Sequence, residues 1–271
     1  MSDWPTLFEE ELIRLGLQPA RARQLSDETA GQAAEQAAAP SEVFGPAHLY
    51  ARHLVAELSA PLTVSGRTRL AAGPVLLSLT GVGKRYRRQT VFTDVELTVR
   101  GGEVAAIVGA NGCGKSTLLR ICAGLTRPSA GTVRRTRRVG FVPQDGGTAG
   151  WLTAEEHFTL FGAAAGIVPR RARSTGVHLA TRLAWRPAPA QRAQQLSGGT
   201  RQKLNLVLGE LHAPDLLLLD EPYQGFDQGT YLDFWQQVFA WRDAGRAVVV
   251  VTHLLHDLQN VDHVLDLGAP R

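Results

Sequence analysis

Only two cysteines, Cys113 and Cys122, occur among the 271 residues, and neither has a partner at metal-ligand spacing. Two thiols make no disulfide framework, so a reducing, cytosolic compartment is expected. No apolar run is long enough to cross a bilayer. The longest, such as Ala247–Val251, have the length of a buried strand. The start, Met1-Ser2-Asp3-Trp4-Pro5, lacks the basic opening and apolar stretch of a signal peptide. No segment repeats. Any membrane role is therefore expected to come through a partner. Charge gives little direction: with 20% charged residues and a net charge of +4, the chain is globular in type, and its basic surplus reads as solvated arginine. The hydrophobic fraction of 44% is ample for a packed core.

The composition shifts near residue 60. Before it, Leu7, Phe8, Leu12, Ile13 and Leu15 recur at helical spacing, and a second apolar helix is expected from about Pro46 to Leu58. Pro19 and the alanine-rich stretch from Gly31 to Pro40 punctuate this region. Residues 1–60 thus read as a small helical domain and 61–74 as a linker. From residue 75 the pattern turns strand-like at 75–79, 91–99, 104–108, 216–219 and 248–251. Strands separated by helical segments imply a parallel sheet covered on both faces. The stretch from Leu152 to Gln195 reads as helical, with breaks at Pro169, Pro187 and Pro189.

The chemistry is carried first by Gly109-Ala110-Asn111-Gly112-Cys113-Gly114-Lys115-Ser116-Thr117. This is G-x-x-x-x-G-K-[ST] placed after a strand and before a helix. Glycines let the backbone curl until its N–H groups point at phosphate oxygens. The helix starting near Ser116 adds its positive end. Lys115 would neutralise the β- and γ-phosphates of a nucleotide, and the Ser116 hydroxyl would ligate Mg²⁺. The second element is Leu216-Leu217-Leu218-Leu219-Asp220-Glu221, a buried strand delivering two acids to its carboxyl end. Taken alone, such a pair also serves to cap a following helix; the phosphate loop upstream decides between the two. Asp220 is then a Mg²⁺ ligand and Glu221 the general base for an attacking water. Cys113, inside the loop, reads as a small filler.

The third element is Leu196-Ser197-Gly198-Gly199-Thr200, which by itself is only a turn with a helix N-cap. Its place between the phosphate loop and the acidic strand gives it meaning. From Leu77 to about Leu267 the chain resembles ATP-binding cassette (ABC) ATPase subunits, with the family's motifs in the family's order. Thr200 stands where the family's signature usually has glutamine. The resemblance implies a P-loop NTPase of class α/β, with an ABC-type core sheet and a helical subdomain over residues 75–271, binding ATP and Mg²⁺. It implies that Ser197, Gly198 and Gly199 contact the γ-phosphate held by a second ATP-binding subunit, in a homodimer or heterodimer. It implies that Tyr86 stacks on adenine and that Gln144 contacts Mg²⁺ and links the site to a membrane partner. Asp227 matches the acid that crosses the dimer interface, and His253 the switch that senses the γ-phosphate. Leu152-Thr153-Ala154-Glu155-Glu156-His157 is similar to the drug and ABC-2 export branch. Residues 44–54 are similar to small helical domains of the HAAS type.

The expected function is an ATP-hydrolysing transporter motor, cytoplasmic and held at the membrane by a separate transmembrane permease. The alternative is a soluble ABC ATPase acting on ribosomes or nucleic acid. Such proteins commonly carry two cassettes or a long coiled-coil insertion; here there is one cassette and no heptad array between Gln144 and Leu196. A regulator that binds but barely hydrolyses ATP would be expected to lack Glu221. The arginines at 134, 135, 137 and 138 and at 170, 171 and 173 are basic clusters of a kind that can touch nucleic acid or lipid headgroups; both read first as solvated faces, and no direct nucleic-acid contact is expected.

Overall fold

A computed structural model describes residues 3–35, 39–44, 46–48, 50–51, 73–87, 89–223, 225–226, 228–252 and 260–268. Two compact units emerge, residues 1–68 and 69–271. In the first, helices α1 (Trp4–Arg14), α2 (Pro19–Glu35) and α3 (Pro40–Phe44) surround a core of Phe8, Leu12, Ala22, Leu25, Ala47 and Ala51. Trp4 stacks on Phe8 at 4.9 Å, and Tyr50 stacks on Phe8 at 5.2 Å. Pro19 opens α2 rather than ending a helix, because the first turn needs no N–H from it. The alanine-rich stretch does not break at Gly31 either. Helix α2 runs through it to Glu35, since the flanking alanines outweigh the roughly 1 kcal/mol that one helical glycine costs. Most of the expected second helix and of the linker lies in residues 52–72, outside the described residues.

The second unit holds two sheets. Strands β1 (Val75–Tyr86), β2 (Gln89–Arg100) and β4 (Ala130–Arg135) form an antiparallel sheet in the order β2-β1-β4. Strands β3 (Val104–Val108), β5 (Val139–Val142), β6 (Leu216–Asp220), β7 (Ala247–Val251) and β8 (His263–Asp266) form a parallel sheet in the order β5-β6-β7-β3-β8. Every residue of β3, β6 and β7 is buried, which is why these strands are unbroken apolar runs rather than alternating ones. One face packs with helix α4 (Lys115–Ala123) and the antiparallel sheet around Ile107, Leu118 and Leu218. The other packs with helix α8 (Gln228–Asp243) around Leu217, Phe234 and Trp241.

The register brings the strand ends level. Ile107 pairs with Val251, and Val251 with Asp220. The phosphate loop, the acidic pair and Thr252 therefore leave the sheet at one edge. Helices α5 (Ala154–Ala164), α6 (Pro169–Arg182) and α7 (Gly198–Glu210) form the helical subdomain, with Phe158, Leu179, Leu196 and Leu204 in its core. A capping box between Thr153 and Glu156 starts α5. Pro169 again begins a helix, while Pro187 and Pro189 lie in the irregular segment before a short turn at Ala193–Gln195. Arg134 and Arg135 are exposed on β4.

Candidate functional site

Strand β3 delivers the chain into a loop with three left-handed glycines: Gly109 (φ 140°), Gly112 (φ 79°) and Gly114 (φ 104°). Any other residue at Gly114 would be doubly excluded, since a Cβ there would collide with Val91 of β2. Cys113 is buried, with its Sγ 2.8 Å from where a Cβ on Gly109 would sit, so it fills the loop's interior. Helix α4 begins directly at Lys115 with no side-chain cap. The N–H groups of its first turn, at Lys115, Ser116 and Thr117, thus keep their capacity to bind an anion. Asn111 and Gly112 are exposed at the loop's tip.

Lys115 is 6% exposed, and its ammonium donates to the carbonyl oxygens of Gly109 (2.8 Å) and Ala110 (3.1 Å). It forms no ion pair among the described residues. A buried cation held by neutral groups is electrostatically short of a counter-charge, which a phosphate supplies. From β6, Asp220 (1% exposed) accepts a hydrogen bond from the Ser116 hydroxyl at 3.1 Å, across 104 positions of chain. Glu221 (8% exposed) accepts from the Gln144 amide at 3.2 Å. Glu221 sits at φ 44°, a left-handed backbone costing about 1–3 kcal/mol in a non-glycine residue, and its N–H donates to the Val251 carbonyl at 3.2 Å. Strain of this kind aims the side chain off the strand end.

Burial pushes the Asp220 carboxyl above the usual range. Glu221 adds to the rise, and the Ser116 hydrogen bond, Arg120 and Lys115 oppose it. The oxygens of Ser116, Asp220 and Gln144 suit a hard cation. No group of three or more His, Cys, Asp or Glu side chains is arranged to hold a metal ion among the described residues. One carboxylate with a hydroxyl is the donor set of an ion that keeps waters and phosphate oxygens for its other positions, as Mg²⁺ does. Asp220→Asn should raise the Tm of the nucleotide-free protein at pH 7, because the amide oxygen still accepts from Ser116 and no buried charge remains. The folded pKa lies above the unfolded one, so the penalty is full above the folded value and vanishes below the unfolded one. The gain should therefore shrink as pH falls through the carboxylate range. About 1 kcal/mol moves the Tm of a unit this size by about 2–4 °C, so melts across pH can check it. A lower Tm at pH 7 would contradict it.

Other residues singled out by the sequence stand apart from this cluster. Tyr86 is half-exposed at the β1–β2 turn, with the Lys84 ammonium 4.5 Å from its ring centre. Ser197 caps α7, accepting from the Thr200 N–H at 3.2 Å, and is exposed with Gly198. Gly199 packs against the Gly225 carbonyl. Among the described residues, no hydrogen bond joins Tyr86 or Ser197, Gly198 and Gly199 to the phosphate loop. Asp227 and His253 lie outside the described residues.

The sequence reading passed over a set of polar residues that hold the segment after Gln144. Buried Asn205 of α7 donates to the Gly146 carbonyl (3.1 Å) and to Gln202 (3.1 Å). Fully buried His157 of α5 accepts from the Ala149 N–H (2.9 Å) and meets the Thr153 carbonyl (2.7 Å). The available signal was polar side chains on helix faces that otherwise bury leucines.

A family model described as "ABC transporter" matches residues 92–224. The chain is 32% identical over 200 residues to the Nod factor export ATP-binding protein I of Ralstonia nicotianae, covering 69% of this chain and 62% of that protein. It is 37% identical over 198 residues to the zinc import ATP-binding protein ZnuC of Roseobacter denitrificans, covering 71% of this chain and 75% of that one. The likeness thus extends to relatives named for export and for import. Among solved structures, an ATP-binding subunit of an ABC transporter superposes with a TM-score of 0.63 at 26% identity, over 72% of this chain and 88% of that one. A dimeric bacterial ABC transporter cassette gives 0.64 at 24% identity, over 72% and 97%, a likeness of fold.

Proposed function

The chain belongs to the ABC transporter ATP-binding family, a family of P-loop ATPases, and on that premise we propose that it binds and hydrolyses ATP to power transport through a separate transmembrane subunit. What carries the reading is the meeting of Ser116 with Asp220, and of Gln144 with Glu221, at the level ends of parallel strands beside a buried lysine that forms no ion pair among the described residues. In this reading the phosphates of ATP lie in the loop, with N–H groups of Gly112, Gly114, Lys115, Ser116 and Thr117 and the Lys115 ammonium binding them. Gly109 and Asn111 shape the loop, and Tyr86 stacks on the adenine. Ser116, Asp220 and Gln144 would hold Mg²⁺, which supplies charge neutralisation across the β- and γ-phosphate oxygens. Glu221 orients a water in line with the γ-phosphate and takes its proton, and Gln144 fixes the carboxylate. His253 senses the γ-phosphate. Ser197, Gly198, Gly199 and Asp227 act across a dimer of cassettes, of the same or of different chains.

Residues 1–60 form a helical interaction domain and 61–74 a linker in this reading; the separation of residues 1–68 as a compact unit supports that division. In this reading the cassette is held on the inner face of the membrane by its permease; no described helix is itself long and apolar enough to cross a membrane. The helix-break-helix layout of residues 154–182, without a coiled-coil arm, favours the transporter over an ATPase acting on ribosomes or nucleic acid. The test is purification of the tagged chain from detergent-solubilised membranes. A polytopic membrane protein should co-purify in a fixed ratio and raise the chain's ATP turnover in proteoliposomes. Recovery with ribosomal particles or nucleic acid instead would replace the transporter reading with the soluble one.

A further inference from the structure

We propose that the tip of the α5–α6 hairpin docks on an anionic lipid surface. The hairpin is closely packed: Gly162 faces Ala172 with no room for a Cβ, and Gly176 faces Phe158 in the same way. Its turn is closed by the Ile167 N–H donating to the Gly162 carbonyl at 2.8 Å. The two helices therefore present their shared end as one surface. On that end Leu160 is 55% exposed and Val168 64%, with Phe161 beside them at 38%. None of the three enters the subdomain core.

The same end carries Arg170, Arg171 and Arg173, all exposed and without an acidic partner among the described residues. Between Glu156 and Glu210 the chain has eight Lys and Arg residues and no acid at all. Two of the cations outside the tip have local partners: Arg182 meets Glu210 at 3.8 Å and Gln237 at 2.9 Å, and Arg201 donates to the Leu196 carbonyl at 3.4 Å. The tip's three arginines have no such partner among the described residues.

Exposed aliphatic and aromatic side chains interleaved with cations match the headgroup boundary of a bilayer, where arginines meet phosphates and apolar side chains enter the acyl edge. A nucleic acid would use the same cations, but it offers the leucine and valine nothing to bury against. The inference rests on this surface alone and not on the transport reading.

The test is co-sedimentation of the full chain with vesicles of phosphatidylcholine alone or with added phosphatidylglycerol. Binding should require phosphatidylglycerol and weaken as salt shortens the range of the attraction. The triple variant Arg170→Gln/Arg171→Gln/Arg173→Gln should bind on the order of 100-fold more weakly, at about fivefold per arginine. Leu160→Ser/Val168→Ser should weaken binding without removing its salt dependence. Both variants alter exposed positions away from the phosphate loop, so each should keep the parent's ATP affinity, which verifies that it is folded. Equal binding to neutral vesicles, undiminished binding by the arginine variant, or binding to an RNA oligonucleotide with none to vesicles would each overturn the proposal.

Discussion

Glu221→Gln is expected to keep ATP binding and lower turnover by roughly 10²–10⁴-fold, the usual cost of removing a general base. The amide is nearly isosteric with the acid. Its carbonyl oxygen can still accept from Gln144, as Glu221 does at 3.2 Å, and its backbone at φ 44° is no more strained than before. What would be lost is the group that, in the proposed mechanism, takes a proton from the attacking water. In the proposed dimer the uncleaved γ-phosphate would keep its contacts to Ser197 of the opposing subunit, and the closed dimer should accumulate. Steady-state phosphate release measures the first effect. Size-exclusion chromatography with ATP measures the second, with co-expression of both chains if the natural partner is a different cassette. Parental turnover in the variant would remove Glu221 from the mechanism.

Lys115→Ala should abolish measurable nucleotide binding. Losing a desolvated charge that pairs with a ligand costs about 2–5 kcal/mol, or roughly 30- to 5,000-fold in Kd. The effect should fall in the upper part of this range, because the lysine is buried beside the loop and no ion pair from the described residues stands in for it. The substitution also frees the carbonyls of Gly109 and Ala110. Far-UV circular dichroism should confirm that the fold survives, and fluorescence titration with a labelled ATP analogue reads the affinity. An unchanged Kd would overturn the assignment of the phosphate loop.

Much of the site was legible because phosphate binding demands fixed spacing. A strand, a glycine curl and a lysine at the head of a helix can be recognised locally, and so can an apolar strand ending in two acids. The buried parallel strands were legible for a related reason: covered on both faces, they are apolar at every position. Strands β4, β5 and β8 were not, since they are short and lie at sheet edges, and the alternation in His263–Asp266 is too brief to stand out. Nor could local pattern show Gln144 reaching Glu221, a contact made between the ends of β5 and β6. His157 was hidden by its chemistry: a buried histidine satisfied by two backbone groups reads, in sequence, like any polar residue of an exposed helix turn.

The segment between Gln144 and Thr153 has no regular secondary structure, yet it has little slack. Asn205 grips it at Gly146 and His157 grips it at Ala149, each from a different helix of the subdomain. A cord fixed at two points over so short a length stretches very little. In the proposed ATPase reading, a shift of Gln144 as the γ-phosphate is bound or lost would reach α5 and α7 together through these two hydrogen bonds. The two buried polar side chains are then the teeth of a gear between the nucleotide site and the helical subdomain.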